Sequence, residues 1–340
     1  MTTEHIRGPV EGTIQVVEPA NKIERWGPVL REAVEEAAER ARNADPANTV
    51  RTYQSSWRQF EEWVTRNGGE VMPAHPAVVA AFASHLYNLG RKRSTIEKAM
   101  ASISAAHIEA GYPPPTHTKP VRRTMKWIRQ ETSLFQTQKA PLLPADLERL
   151  VEVLPRTLEG LRDRAVLLLG FAGGFRRSEL VALTVADLDW HDDYVRVAIR
   201  KSKGDRSSQG RVMELPIMPD EPLCAATAVH RWLDRTGIES GAIFRAVVKG
   251  RGMPTRGMSD RMVALIVKRA AEAAGMDHTQ YSGHSLRAGF VTAAFQAGVP
   301  DAEIMMVTGH KTVEMVRRYV RLAQGAEAAP VRRILLARLT

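Results

Sequence analysis

The stretch VTGHKTVEMVRRYVRL, Val307 to Leu322, sets one tyrosine, Tyr319, among Arg317, Arg318 and Arg321, nine residues after the pair Gly309–His310. Val313, Val316 and Val320 recur at helical spacing, so an amphipathic helix is expected. Taken alone, the segment leaves two readings of the phenol open. It is either a half-buried tyrosine on a solvated basic face or a nucleophile that meets a phosphate. The choice depends on what the other segments supply.

The 340 residues suffice for two ordinary domains, each burying its own core, and 44% hydrophobic with 25% charged residues is the balance of a folded soluble protein. No apolar run approaches the ~20 residues needed to cross a bilayer, and the opening MTTEHIRGPVEGT lacks the apolar centre of a signal peptide. A lone cysteine, Cys224, excludes an intramolecular disulfide framework and fits a reducing cytoplasm. No Cys/His cluster has zinc-ligand spacing and no GxxxxGK(S/T) phosphate loop occurs, so neither a metal nor a small-molecule cofactor is expected. The net charge of +10 favours a polyanionic partner, most commonly nucleic acid, through Coulomb steering and counterion release.

Residues 1–21 show no period and are expected to form a mobile arm, and WGPVLREAVEEAAERAR, residues 26–42, has a helical pattern. In NTVRTYQSSWRQFEEWVTRNGG an apolar stripe of Tyr53, Trp57, Phe60 and Val64 opposes a polar face of Arg51, Gln54, Ser55 and Arg58. Two more helices are expected to close at Gly90 and Gly111, and a fifth to begin near Val121. Around that fifth start, Lys119, Arg122, Arg123, Lys126 and Arg129 fall mostly one helical turn apart, with Met125, Trp127 and Ile128 available to pack inward. Such a stripe is commonly a solvated face. Here no acidic residue follows in sequence until Glu131, which favours contact with phosphates. A small helical bundle is therefore expected over residues 22–131, followed by an extended linker over 132–144.

Residues 145–329 read as a second, mainly helical domain with a small antiparallel sheet. LEGLRDRAVLLLGFAGGF is nearly all apolar and should be central, and DYVRVAIR and GRVMELPI alternate like strands around the loop KSKGDRSSQ. Helices are expected again from Cys224 onward. In the last segment, 330–340, Val331, Ile334, Leu335 and Leu339 form a short apolar stripe that must dock somewhere, on its own domain or on a neighbouring protomer.

Four short motifs can carry chemistry: GGFRRSEL with Arg176 and Glu179, RKSKGDR with Lys203, SGHSLRAG with His284 and Arg287, and TGHKTVEMVRRY with His310 and Tyr319. Singly, each has an ordinary structural explanation. GHSLR also approaches the G-x-S-x-G elbow of serine hydrolases, but Arg287 stands where glycine is required, which excludes that reading. In this order and spacing the set strongly resembles the tyrosine recombinase family, the phage integrases, whose pattern is Arg, Lys, His-x-x-Arg, His or Trp, then Tyr. In length, arm-less layout and the wording of SGHSLRAG the chain is nearest to Cre-type recombinases, with His310 in place of a tryptophan; histidine is the commoner family form.

The resemblance implies a helical core-binding domain joined to a catalytic domain, and the chemistry asks for these residues. Arg176 and Arg287 would grip the non-bridging oxygens of a phosphodiester through forked donors and follow the charge that develops there. His284 and His310 would add hydrogen bonds, with His284 helping to take the tyrosine proton. A free tyrosine titrates near ~10, so attack needs a cationic pocket that favours phenolate character. Lys203 would protonate the leaving 5′-oxygen, Glu179 would orient Arg176 or a neighbouring loop, and a 3′-phosphotyrosine would conserve the bond energy without ATP or metal.

By the same resemblance, the partners are double-stranded DNA with paired inverted half-sites and further copies of the chain. These would form a homo-tetramer that exchanges strands through a Holliday junction in the nucleoid. Base reading would fall to Arg51, Gln54, Ser55, Arg58 and Arg261. A type IB topoisomerase-like relaxing enzyme and a non-catalytic DNA-binding regulator are the alternatives.

Overall fold

The computed structural model describes residues 27–30, 32, 33, 36, 47–132, 139–200, 210–248 and 252–323. The chain divides into two compact units, Met1–Gln136 and Thr137–Thr340. The expected arm at 1–21 and the terminal helix at 330–340 lie outside the described residues, as does most of the helix expected between Trp26 and Arg42.

In the first unit, α1 (Ala47–Arg66), α2 (Pro76–Asn88), α3 (Arg93–Glu109) and α4 (Lys119–Glu131) enclose a core of Phe60, Phe82, Leu86, Ile96, Ile103 and Ile128. The stripe expected on α1 is turned inward at Phe60 and Val64, and Phe60 meets Phe82 edge-on at 5.2 Å. Pro76 opens α2, where its missing N–H has no helical partner to lose, and the His75 ring accepts the Ala77 amide. Fully buried His107 ties α3 to the segment before α2. Its Nδ1–H donates to the Ile103 carbonyl at 2.8 Å, and its Nε2 accepts the Ala74 amide at 2.9 Å.

On α4 the buried positions are Val121, Met125 and Ile128, at i, i+4 and i+7. Trp127, expected to pack inward, lies off that stripe and is half-exposed, edge-on to Tyr87 at 5.0 Å. The basic stripe also has an acidic neighbour that no local spacing shows: Arg129 pairs with Glu97 of α3 at 3.0 Å.

The second unit runs α5 (Pro144–Glu152), α6 (Leu158–Ala172), α7 (Arg177–Ala182), β1 (Leu188–Trp190), β2 (Tyr194–Ile199), β3 (Arg211–Pro216), α8 (Ala225–Thr236), α9 (Asp260–Ala273), α10 (Gly283–Gln296), α11 (Asp301–Thr308) and α12 (Val313–Ala323). The apolar α6 is central, with Ala165 to Leu169 all buried. The sheet is antiparallel in the order β1-β2-β3, and the buried alternation of Val195, Val197 and Ile199 turns one face of β2 to the core. Pairing of Ile199 with Arg211 places Arg211 at the mouth of the β2–β3 hairpin. The strand β1 was not expected, because three residues are too few to show an alternation.

Two further expectations are corrected. Lys139–Leu143, assigned to the linker by composition, belongs to the second unit: the Ala140 and Leu142 amides donate to the Gln280 and Ser285 carbonyls, and Leu142 is fully buried. Gly289 admits this crossing, since a Cβ there would lie 1.8 Å from the Leu142 carbonyl oxygen. Helix also does not resume continuously after Cys224. Left-handed Gly237 ends α8, and the described residues before α9 form only isolated bridges such as Thr184–Ala242 and Arg245–Gly257. The Trp232 indole N–H anchors this segment through the Ile243 carbonyl at 2.9 Å.

Candidate active site

Arg176 precedes α7, where its amide donates to Glu179 Oε2 at 3.0 Å and its guanidinium to Glu179 Oε1 at 2.5 Å. Glu179 is buried and accepts a second guanidinium, Arg211 Nη2, at 2.9 Å. Burial pushes the Glu179 carboxyl upward. The Arg211 charge, the Arg176 amide and the guanidinium hydrogen bonds outweigh it and hold the carboxyl at about 2. Because the folded value lies below that of a free glutamate, this contribution to stability is complete above ~4.5 and lost as pH falls toward ~2; it amounts to about 3 kcal/mol. Glu179→Gln is expected to be less stable at neutral pH and to show a flatter decline across that acid window. Acid-unfolding curves of the two proteins check this, and an identical pH dependence would rule it out.

The start of α10 supplies the next pair. The Ser282 hydroxyl accepts the His284 amide at 3.3 Å, which fixes the first turn, and Arg287 follows one turn later on the same helix. Arg287 is 1% exposed; its Nη1 donates to the Gly174 carbonyl at 2.6 Å while its Nη2 is buried without a partner. Burial and the neighbouring Arg176 lower its pKa to about 10, against the opposing pull of Tyr319 and Glu179. Burial, then Arg287, Arg177 and Arg176, also lower the His284 pKa.

His310 follows Gly309, whose φ of 66° ends α11 in the left-handed region. The buried imidazole is held down to about 3 by burial and by Arg287, Arg176, His284 and Arg211. Its Nδ1 lies 2.7 Å from Thr308 Oγ1, which in turn lies 2.6 Å from the Ile304 carbonyl.

Tyr319 is carried by α12, which is seated by Val316 against Val291 of α10 and Ile304 of α11, all fully buried. The phenol oxygen lies 3.0 Å from His284 Nε2, and its ring lies 5.5 Å from both the His284 and His310 rings. Of the arginines beside it in sequence, Arg317 pairs with Asp301 at 3.1 Å and Arg318 is exposed. The cation that the phenol acts on is Arg287 of α10.

The fold thus brings Arg176, Glu179, His284, Arg287, His310 and Tyr319 together from segments up to 143 residues apart. Lys203 lies outside the described residues, in the connection between β2 and β3. Arg211 was missed by sequence reasoning. Its only signal was a basic residue at the start of a strand, and a contact 32 residues distant has no spacing to reveal it. Among the described residues no cluster of His, Cys, Asp or Glu is placed to hold a metal ion.

The DNA-contact candidates Arg51, Gln54, Ser55 and Arg58 are exposed on α1, and Arg261 is exposed on α9. Lys119, Arg122, Arg123, Lys126 and Arg129 line a groove of about 1380 Å³ in the first unit, with Tyr53 on its wall. Among the described residues no helix is long and apolar enough to cross a membrane.

Comparison with known proteins gives a coherent result. The profile described as "Phage integrase family" matches residues 141–325. An "Integrase/recombinase xerD homolog" of Selenomonas ruminantium is 36% identical over 288 residues, covering 84% of each chain. "Recombinase cre" of Escherichia phage P1 is 24% identical over 312 residues, covering 86% of this chain and 89% of that one. In fold, the chain is similar to XerH site-specific recombinase in its pre-cleavage complex with difH substrate, with a TM-score of 0.59, 18% identity, and coverage of 87% and 83%.

Proposed function

Because the chain belongs to the phage integrase family of tyrosine recombinases, we propose that it is a site-specific DNA recombinase in which Tyr319 is the nucleophile. The observation that carries this reading is the Tyr319 hydroxyl 3.0 Å from His284 Nε2, in a pocket bounded by Arg176, Arg287 and His310. The phenol donates its proton toward His284 and its oxygen attacks the scissile phosphorus. A phosphorus–tyrosine bond forms as the bond to the 5′-oxygen breaks, and Lys203 gives that oxygen a proton. Arg287 Nη2 offers an unmade hydrogen bond to a non-bridging oxygen, and the Arg176 guanidinium, oriented by Glu179, supports the same charge.

The resulting 3′-phosphotyrosine is reversed by the 5′-hydroxyl of a partner strand, so no external energy source enters. The basic groove of the first unit and the polar face of α1 take the duplex flanking the cleavage point, and Arg261 contributes from α9. Paired inverted half-sites, a homo-tetramer, a Holliday junction and work on the nucleoid complete the reading. Residues 330–340 are assigned to exchange between protomers. The names recombinase, xerD homolog and cre among the relatives support this class.

Two assays test it. Incubation with a nicked site that loses its 5′-hydroxyl fragment should trap protein on DNA, and a plasmid with two sites should recombine. Trapping without recombination, together with relaxation of supercoils by monomers, would make the protein a topoisomerase-like enzyme. Neither activity would leave a DNA-binding regulator.

A further inference from the structure

Arg211 is partly buried at the edge of the proposed phosphate pocket and has no part in the mechanism above. Its side chain is 11% exposed, and among the described residues its Nη2 pairs with Glu179 Oε2 at 2.9 Å. Nε and Nη1 are both buried without a hydrogen-bond acceptor, as is Nη2 of Arg287 in the same pocket. Unmade donors on a buried cation are costly, and their concentration here points to an anion that completes them. The guanidinium is held by the Phe175 ring, 5.9 Å away, and by the backbone of Gly309, where an added Cβ would meet Nη1 at 2.8 Å. It therefore lies beside the turn that carries His310.

Glu179 links the two arginines: Oε1 accepts the Arg176 guanidinium, and Oε2 accepts both the Arg176 amide and the Arg211 guanidinium. A carboxylate shared in this way does not close as a two-oxygen fork on the Arg176 guanidinium. Among the described residues, Arg176, Arg211 and Arg287 bring three guanidiniums to the pocket and Glu179 one carboxylate. That surplus suits a phosphodiester whose negative charge grows during attack.

Resting on the reading of this pocket as the phosphate site, we infer that Arg211 is a positioning residue for strand cleavage. It restrains Glu179, the carboxylate that orients Arg176, and adds positive charge behind the scissile phosphate.

The test uses the full chain on a nicked site with either a normal scissile phosphate or an uncharged methylphosphonate at that position. Arg211→Met is expected to cleave the phosphate at least about 100-fold more slowly than the unmodified protein, yet to cleave the methylphosphonate within about tenfold of it. A purely structural role would slow both substrates alike. Equal loss on both, or no loss on either, overturns the inference. Arg211→Lys keeps the charge and carries the test if the methionine variant does not fold. It is expected to retain about a tenth or more of phosphate cleavage, and a loss beyond about 100-fold on both substrates overturns the inference equally. If the unmodified protein forms no Tyr319 adduct, the phosphate-site reading fails and takes the inference with it. An adduct in that control with equal loss in the variant removes the inference alone.

Discussion

Tyr319→Phe is expected to bind its DNA site with nearly unchanged affinity and to form no covalent adduct on a nicked substrate. The substitution removes one oxygen and leaves the ring that packs with Val291, Ile304 and Val316, so the seat of α12 is preserved. The hydrogen bond to His284 Nε2 and the phenol's pull on Arg287 are lost, both inside the pocket. Affinity for DNA rests mainly on contacts to many phosphates, which that change does not touch. Chemistry rests on a nucleophile that phenylalanine lacks. Gel-shift titration and denaturing gels of the trapped species separate the two quantities. Cleavage by the phenylalanine protein would place the nucleophile elsewhere and dissolve the central assignment.

Lys203→Ala is expected to slow cleavage by about 10²–10⁴, the usual worth of a positioned general acid. The strands give the reason to expect this residue at the site. Ile199 ends β2 opposite Arg211, and Arg211 touches Glu179, so the chain leaves the sheet at the edge of the pocket. Lys203 is four residues beyond Ile199, a span of at most ~14 Å before its own side chain is counted. The diagnostic is a substrate whose bridging 5′-oxygen is sulfur. A thiolate leaves without a proton, so the variant should regain most of the lost rate on that DNA. An equal defect on oxygen and sulfur would take proton donation away from Lys203.

The pocket was legible in the sequence where its members are tied by short, rigid offsets. His284 and Arg287 lie one turn apart on α10, Arg176 and Glu179 span the start of α7, and His310 and Tyr319 bracket one turn and one helix. What pairing across space creates was not legible. Arg211 reaches Glu179 because β3 runs beside β2, and Glu97 reaches Arg129 because α3 and α4 border the same groove; neither contact leaves a period in the chain. Trp127 illustrates the converse, since apolar character alone assigned it inward while its helical phase turns it outward. The segment between α8 and α9 failed for a further reason. Its glycines at 237, 241 and 252 adopt left-handed geometry, and buried Phe244 and Ile243 stabilise a path with no regular repeat.

The Thr308 hydroxyl settles how the pocket handles protons. It has a single hydrogen, and the Ile304 carbonyl can only accept, so that hydrogen goes to Ile304 and the oxygen receives Nδ1–H from His310. The remaining ring nitrogen, Nε2, is then a bare lone pair, which repels an anionic oxygen. For His310 to hold a phosphate it must first take a proton from the solvent, and the pull of that phosphate is what raises its basicity from about 3. Filling the site is therefore expected to absorb protons as well as to release counterions. Calorimetric binding heats should shift with the ionisation enthalpy of the buffer in the native protein, and less in His310→Phe; heats independent of buffer would show that the ring meets DNA unprotonated.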